Sequence, residues 1–413
     1  MHQRLTALLL SAFLISSFCH AQSTDSSKPA APKIRAITAF VRLDRAKYRE
    51  QVAEAMKMLL AAKEAFAKAG YEVETIRITT QSFPEYTKGL SEQQALEFFR
   101  DYDKLSQQQG FTPDIGAAMS QDSDDPRQAD LLARILAETQ NLNGYIAVAD
   151  DSGIHWHAVQ AAARVMKYLE DHTTHSEGNF HFAAGAFPPA IAPFFPVSHT
   201  IDNGHGFALG LESANIVQQV FAGAKGDLNS AGEQLTAALS VQAKRVEEIA
   251  QRVASSTGWK YQGIDLTPVP LKEISIGGAF ETLLHGEIGS PGSLSVAYAI
   301  TSAVKRVPVR QVGYSGLMLP VLEDAVLAQR WESGAISRDS LMSYSSVCST
   351  GLDAVPLPGD ISQQDLEKII ADMASLAVKW HKPLSTRLLP VAGKKAGDMT
   401  EFGSPYLANI HIR

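Results

Sequence analysis

Cysteine is almost missing from this chain: Cys19 and Cys348 are its only two in 413 residues. A disulfide framework is therefore excluded, and a chain of this length buries enough apolar surface to do without one. Basic charge is also short, with 37 Lys and Arg against 44 Asp and Glu. Nucleic acid is then not an expected partner, because binding it rests on neutralising phosphates with clustered cations. No apolar run reaches the ~20 residues of a membrane-spanning helix, so no membrane anchor is expected. The sequence has neither a G-x-x-x-x-G-K-[ST] loop nor a G-x-G-x-x-G after a strand, so no nucleotide cofactor is expected. The tight H-x-x-x-H and C-x-x-C spacings of many zinc sites are missing too.

What is present begins with MHQRLTALLLSAFLISSFCHA (1–21). A basic start, a short apolar run and small residues before the cut describe a secretory signal peptide cleaved after Ala21. The mature protein is then periplasmic or secreted. Loss of the leader removes Cys19 and Arg4, leaving Cys348 unpaired and 36 basic residues against 44 acidic ones. Residues 22–32 have little to bury and read as a disordered tether. Residues 33–413 read as a single α/β domain.

Strand-like and helix-like segments alternate through that domain. KIRAITAFV (33–41) is β-rich, a helical pattern follows and stops at Gly70, and YEVETIRITT (71–80) alternates again, which makes a βαβ unit. Ser91 and Gln94 form a capping box opening EQQALEFFRDYDKL, Pro126 starts another helix, and NGYIAVAD (143–150) is a strand followed by a helix. Further helices are expected at 231–255, 294–304, 339–346 and 364–379. YQGIDL, VRQVGY, GLDAVP and STRLLPV supply further strands. The class is α/β with parallel strands.

KIRAITAFVRLD, FPPAIAPFFPVSH with FALGLESANIV, GIDLTPVP, VCSTGLDAVPLPGD and STRLLPVAGKKAGDMTEFGSPY together resemble the domain of unknown function 711 family, whose members are often labelled pyruvate-formate-lyase-like. The resemblance implies the ten-stranded α/β barrel of glycyl-radical enzymes, with a loop entering the barrel, and a homodimer. It does not carry the radical: the flanks of Gly403 differ from an RVSGY-type loop, and an exported chain is separated from a cytosolic activating enzyme. Fold analogy does not transfer chemistry.

Candidate site residues come from three groups. Seven of the ten histidines outside the leader lie between His155 and His205. Imidazole beside acids suits proton transfer or a metal. His155 and His157 follow a strand, at the end where α/β folds place ligands; with Asp202 they are candidate ligands of a divalent metal ion. His199 and His205 follow the proline-rich stretch AAGAFPPAIAPFFPV (183–197), which reads either as a stiff pocket wall or as a rigid crossover. They are candidate acids or bases. His181 fits a core position equally well. Asp353, Cys348 and Glu401 complete the catalytic candidates, with Asp265 as an alternative partner. Cys348 reads as a buried apolar thiol or as part of a site wall. Two glycine-rich stretches, ISIGGAF and GEIGSPGSLS, run into helices and read either as anion sites or as tight turns.

Two functions stay open: a non-radical hydrolase or lyase acting on a small anionic molecule, or an exported binding protein using the same pocket without catalysis. A thiol sensor built on Cys348 is a third.

Overall fold

The computed structural model describes residues 31–348 and 350–413. The leader and residues 22–30 of the tether lie outside the described residues. Ten strands form one sheet. They are β1 (Lys33–Val41), β2 (Val73–Thr80), β3 (Thr112–Ala117), β4 (Asn143–Asp150), β5 (Gly153–Ile154), β6 (Phe182–Ala186), β7 (Gly204–Glu212), β8 (Lys260–Asp265), β9 (Gly351–Pro358) and β10 (Leu384–Val391). The order across the sheet is β8-β7-β1-β2-β3-β4-β6-β10-β9, with β5 paired to β4.

The middle of the sheet, β1-β2-β3-β4-β6, is parallel, as the βαβ reading expects. Both flanks reverse. β7 runs antiparallel to β1 and carries β8 alongside it, while β10 runs antiparallel to β6 and carries β9. The sheet thus consists of a parallel block and two flanking pairs that run the opposite way. VRQVGY, expected as a strand, forms no ladder with β8 and pairs with it by an isolated bridge between Ile264 and Gln311. Gly263 is required there, since a Cβ would come within 2.7 Å of the Arg310 carbonyl oxygen.

Helices cover one face of the sheet, and the apolar core lies between the two. Their ends follow the sequence signals. In the helix Glu92–Gln109 the Ser91 side chain accepts from Gln94 N–H and the Gln94 side chain accepts from Ser91 N–H. That satisfies two of the donors a helix start leaves open. The helix closes on Gly110 in the left-handed region.

The other face of the sheet takes the proline-rich segment, and small residues make room for it at Gly185 and Gly210. A Cβ on Gly210 would fall 2.5 Å from the Phe194 ring, and one on Gly185 would fall 2.8 Å from Val197. Thr38 donates to the Pro193 carbonyl at 2.8 Å, and Thr200 N–H donates to the Thr80 carbonyl at 2.9 Å. Proline costs little conformational entropy to hold in place, so this segment lies against the strands as a stiff insert.

Candidate functional site

A cavity of about 430 Å³ lies between the insert and the amino-terminal halves of the parallel strands. Arg35 of β1, Thr75 and Arg77 of β2, Thr112 of β3, Asn143 of β4 and Ala183 of β6 face it. Asp353 of β9 and Ser385 and Arg387 of β10 line the far side. The two-residue spacing of Thr75 and Arg77, and of Ser385 and Arg387, follows from the strand period, which puts alternate residues on one face. A register shift between Ile34 and Ala36 makes a bulge at Arg35, the device by which strands re-aim a side chain. Phe194, Phe195, Pro196 and Val197 form the wall given by the insert, and Ser404 and Tyr406 come from the C-terminal segment.

The three arginines of this cavity are not equivalent. Arg387 Nε donates to Asp353 at 2.6 Å, and its Nη2 donates to Glu323. Arg35 donates to Glu74 at 2.7 Å and lies 3.6 Å from Glu323 and 3.8 Å from Glu212. Burial, and then Glu74, push the Glu212 carboxyl up to about 8. Glu212 therefore keeps a proton at neutral pH and shares it with Glu74. Arg77 has only Thr75, whose hydroxyl accepts from its Nε at 3.0 Å, and the face of Phe195 at 5.0 Å. It forms no ion pair among the described residues. Burial, reinforced by Arg35, brings it down to about 9, so it still carries its charge at neutral pH. Asp114, a buried acid near enough to act on Arg77, is pushed well above the usual carboxylate range by its own burial.

His181 also lines the cavity. Burial, with Arg387 adding to it, pushes its imidazole down to about 4, so it is neutral. Its Nδ1 lies 3.3 Å from Asn143 Oδ1. Asn143 Nδ2 donates to the Pro113 and Asn141 carbonyls at 3.2 and 3.1 Å, which fixes Oδ1 as the acceptor. The proton of His181 is then on Nδ1, and Nε2 is a bare lone pair.

Of the residues singled out in the sequence, Asp353 alone of the catalytic candidates lines this cavity. His199 sits behind the wall, its Nδ1 2.8 Å from Tyr145 Oη, and burial pushes it down to about 4. His205 is exposed, stacked at 4.4 Å on Trp259 and 3.8 Å from Glu54. Cys348 is 2% exposed within the apolar core, and its carbonyl accepts from Lys382. Glu401 is exposed and pairs with Lys394 at 3.1 Å.

The metal candidates are kept apart by separate partners. His155 is buried between the Ala147 carbonyl at 3.1 Å and Asp150 at 3.2 Å. His157 is exposed and lies 3.1 Å from Asp122. Asp202 accepts from Gly204 N–H at 2.9 Å on another turn. Among the described residues no group of three or more such side chains is arranged to hold a metal ion. Asp265 accepts four hydrogen bonds from Thr267, Tyr314 and Ser315, which makes it a turn-fixing group. The helix start in ISIGGAF does bind a carboxylate, but that carboxylate is Asp324, which accepts from Ile276 and Gly277 N–H at 2.6 and 3.2 Å.

Over residues 28–404 the chain matches the family described as Uncharacterised ACR (DUF711). The protein belongs to that family. A UPF0210 protein of Pyrobaculum arsenaticum is 28% identical over 85% of this chain and 81% of its own length. Another, of Pyrobaculum aerophilum, is 31% identical over 67% of this chain and 62% of its own. Among solved structures, the anaerobic ribonucleotide reductase of Thermotoga maritima superposes with a TM-score of 0.38 at 7% identity, covering 89% of this chain and 79% of that one. A likeness that slight carries no argument about chemistry.

Proposed function

We propose that this DUF711 protein is an exported binding protein for a small anionic molecule, which it holds in the cavity at the amino ends of the parallel strands. The observation that carries this reading is Arg77: a half-buried guanidinium facing a cavity, with no carboxylate in ion-pairing contact among the described residues, though Glu323 and Glu74 act on it from further away. A charge that is partly desolvated and lacks an ion-pair partner is held at a cost in free energy. An anion in the cavity supplies the missing partner, and charge-assisted hydrogen bonds contribute about 1.5–3 kcal/mol each. The neighbours Thr75, Thr112, Asn141 and Asn143 are uncharged hydrogen-bonding groups that suit the rest of an anion's oxygens.

A binding role fits the geometry better than catalysis, because His199, His205, Cys348 and Glu401 do not meet at the cavity. Catalysis of hydrolase or lyase type is the second reading. What favours it is that Asp353 and the unprotonated imidazole of His181 line the same space. We also read the sheet as closing into the ten-stranded barrel that the family resemblance implies. Segment 310–321 supports this, since it meets β8 through Gln311 and β9 through the bridge between Pro320 and Asp353.

The test is calorimetric titration and thermal shift of the mature protein with phosphate, sulfate, acetate and 3-phenylpropionate. At least one of these anions is expected to bind and raise the thermal midpoint of the wild type, and to do neither for Arg77→Met. Undiminished binding by the variant would place the anion elsewhere. N-terminal sequencing of protein recovered outside the cytoplasm tests export, with Gln22 as the expected first residue.

A further inference from the structure

The same cavity specifies more than a charge. Of its three arginines, Arg35 and Arg387 are ion-paired with Glu74, Glu323 and Asp353, and Arg77 has no ion pair among the described residues, so Arg77 is the one with hydrogen-bond donors to offer a ligand anion. Much of the remaining wall is apolar, formed by Phe180, Phe194, Phe195, Val197, Val269 and Met318. Among the polar atoms of the lining, Nε2 of His181 has no hydrogen bond to another described residue, and its ring is oriented through Nδ1 by Asn143. A neutral imidazole in that tautomer accepts a hydrogen bond and cannot donate one from Nε2. A ligand carboxylate would therefore be repelled by this atom, while a ligand hydroxyl would satisfy it.

An ammonium group is the competing donor, and the charges around the site disfavour it. Three guanidinium groups surround the space, and each acid in the lining is engaged. Asp353 and Glu323 hold Arg387, while Glu177 accepts from Gly403 and Ser404 N–H.

From these constraints we infer that the ligand is a hydroxycarboxylic acid with an apolar body, its carboxylate on Arg77, its hydroxyl donating to His181 Nε2, and its body against Phe195 and the rest of the insert. This inference rests on the anion-binding reading above.

Three matched probes separate the possibilities: 3-phenyllactate, 3-phenylpropionate and phenylalanine, which carry a hydroxyl, a hydrogen and an ammonium at the same carbon. In calorimetric titration of the mature protein at pH 7, phenyllactate is expected to bind about tenfold more tightly than phenylpropionate, the worth of one well-placed hydrogen bond in an enclosed site. Phenylalanine is expected to bind more weakly than either. In His181→Phe the preference for the hydroxyl should disappear while phenylpropionate affinity is kept. Equal binding of phenyllactate and phenylpropionate by the wild type, or tighter binding of phenylalanine, would overturn the inference without need of the variant. If none of the three binds while phosphate or sulfate still binds in an Arg77-dependent manner, the inference fails and the anion-binding reading stands. If no anion depends on Arg77, both fail.

Discussion

The two ends of the central parallel strands carry opposite kinds of polar chemistry. At the carboxyl ends lie the histidines that stand out in the sequence: His155 and His157 after β4, and His205 on β7 beside the end of β1. Each of them is near a partner of its own, whether a backbone carbonyl, a surface acid or an aromatic ring. At the amino ends lie arginines and acids around a cavity, of which Asp353 alone was a candidate from the sequence, and one of the arginines, Arg77, has no ion pair among the described residues. A cluster of reactive residue types is thus weaker ground for a site than one side chain whose requirement the protein leaves unmet.

The contrast between Arg387 and Arg77 gives the largest expected effects, and they have opposite signs. Arg387→Met strands Asp353 and Glu323 in a buried setting, and breaking such a network costs about 3–5 kcal/mol, to be read as a marked fall in the urea midpoint. Arg77→Met removes a charge that has no partner, so the unliganded protein is expected to be as stable as the wild type or more so. Anion affinity should meanwhile fall about 10–100-fold, the loss of one charge-assisted contact. Destabilisation by both variants would mean that Arg77 is paired like Arg387, and the distinction between them would collapse.

Next in size is a pH effect confined to the amino-end network. The folded-state pKa of Glu212 is raised to about 8 by burial and by Glu74, well above its unfolded value. Between pH ~4.5 and ~8 the folded state therefore holds a proton that the unfolded state has released, and stability falls as pH rises through that window. His181, pushed down to about 4, acts at lower pH: stability is lost as pH falls from ~6.5 toward 4. Thermal midpoints of Glu212→Gln measured from pH 5 to pH 8 should decline less than those of the wild type. Parallel curves would show that Glu212 is ionised throughout.

The smallest effects should come from the carboxyl ends. His157→Ala and His205→Ala alter exposed side chains, so each is expected to stay within about 0.5 kcal/mol of the wild type and to leave anion titrations unchanged. A lost titration in either variant would move the site to the other end of the sheet.

Much of the central block was legible in the sequence. KIRAITAFV and NGYIAVAD have the apolar density of strands buried on both faces, YEVETIRITT alternates as a strand does, and the Ser91–Gln94 box fixed a helix start. The reversals at β7 and β10 were not, because they arise from how the proline-rich insert returns the chain, which leaves no local pattern. β3, TPDIGA, is short and opens beside a proline, so it carries little strand signal. Arg77 was hidden for a more general reason. Thr75, Arg77 and Thr79 alternate with Ile76 and Ile78, and a polar row on one side of a strand ordinarily means the solvent side. Here both faces are covered, one by helices and one by the insert, so the polar row points inward. The available signal was an arginine at a face-sharing position in each of three strands, at 35, 77 and 387.

The most direct test of the central claim is a crystal of the mature protein soaked in selenate, with the anion located by its anomalous scattering. The account predicts a peak inside the cavity, within hydrogen-bonding distance of the Arg77 guanidinium and adjoining Thr75. A cavity without a peak, together with selenate held by the histidines at the carboxyl ends, would contradict it.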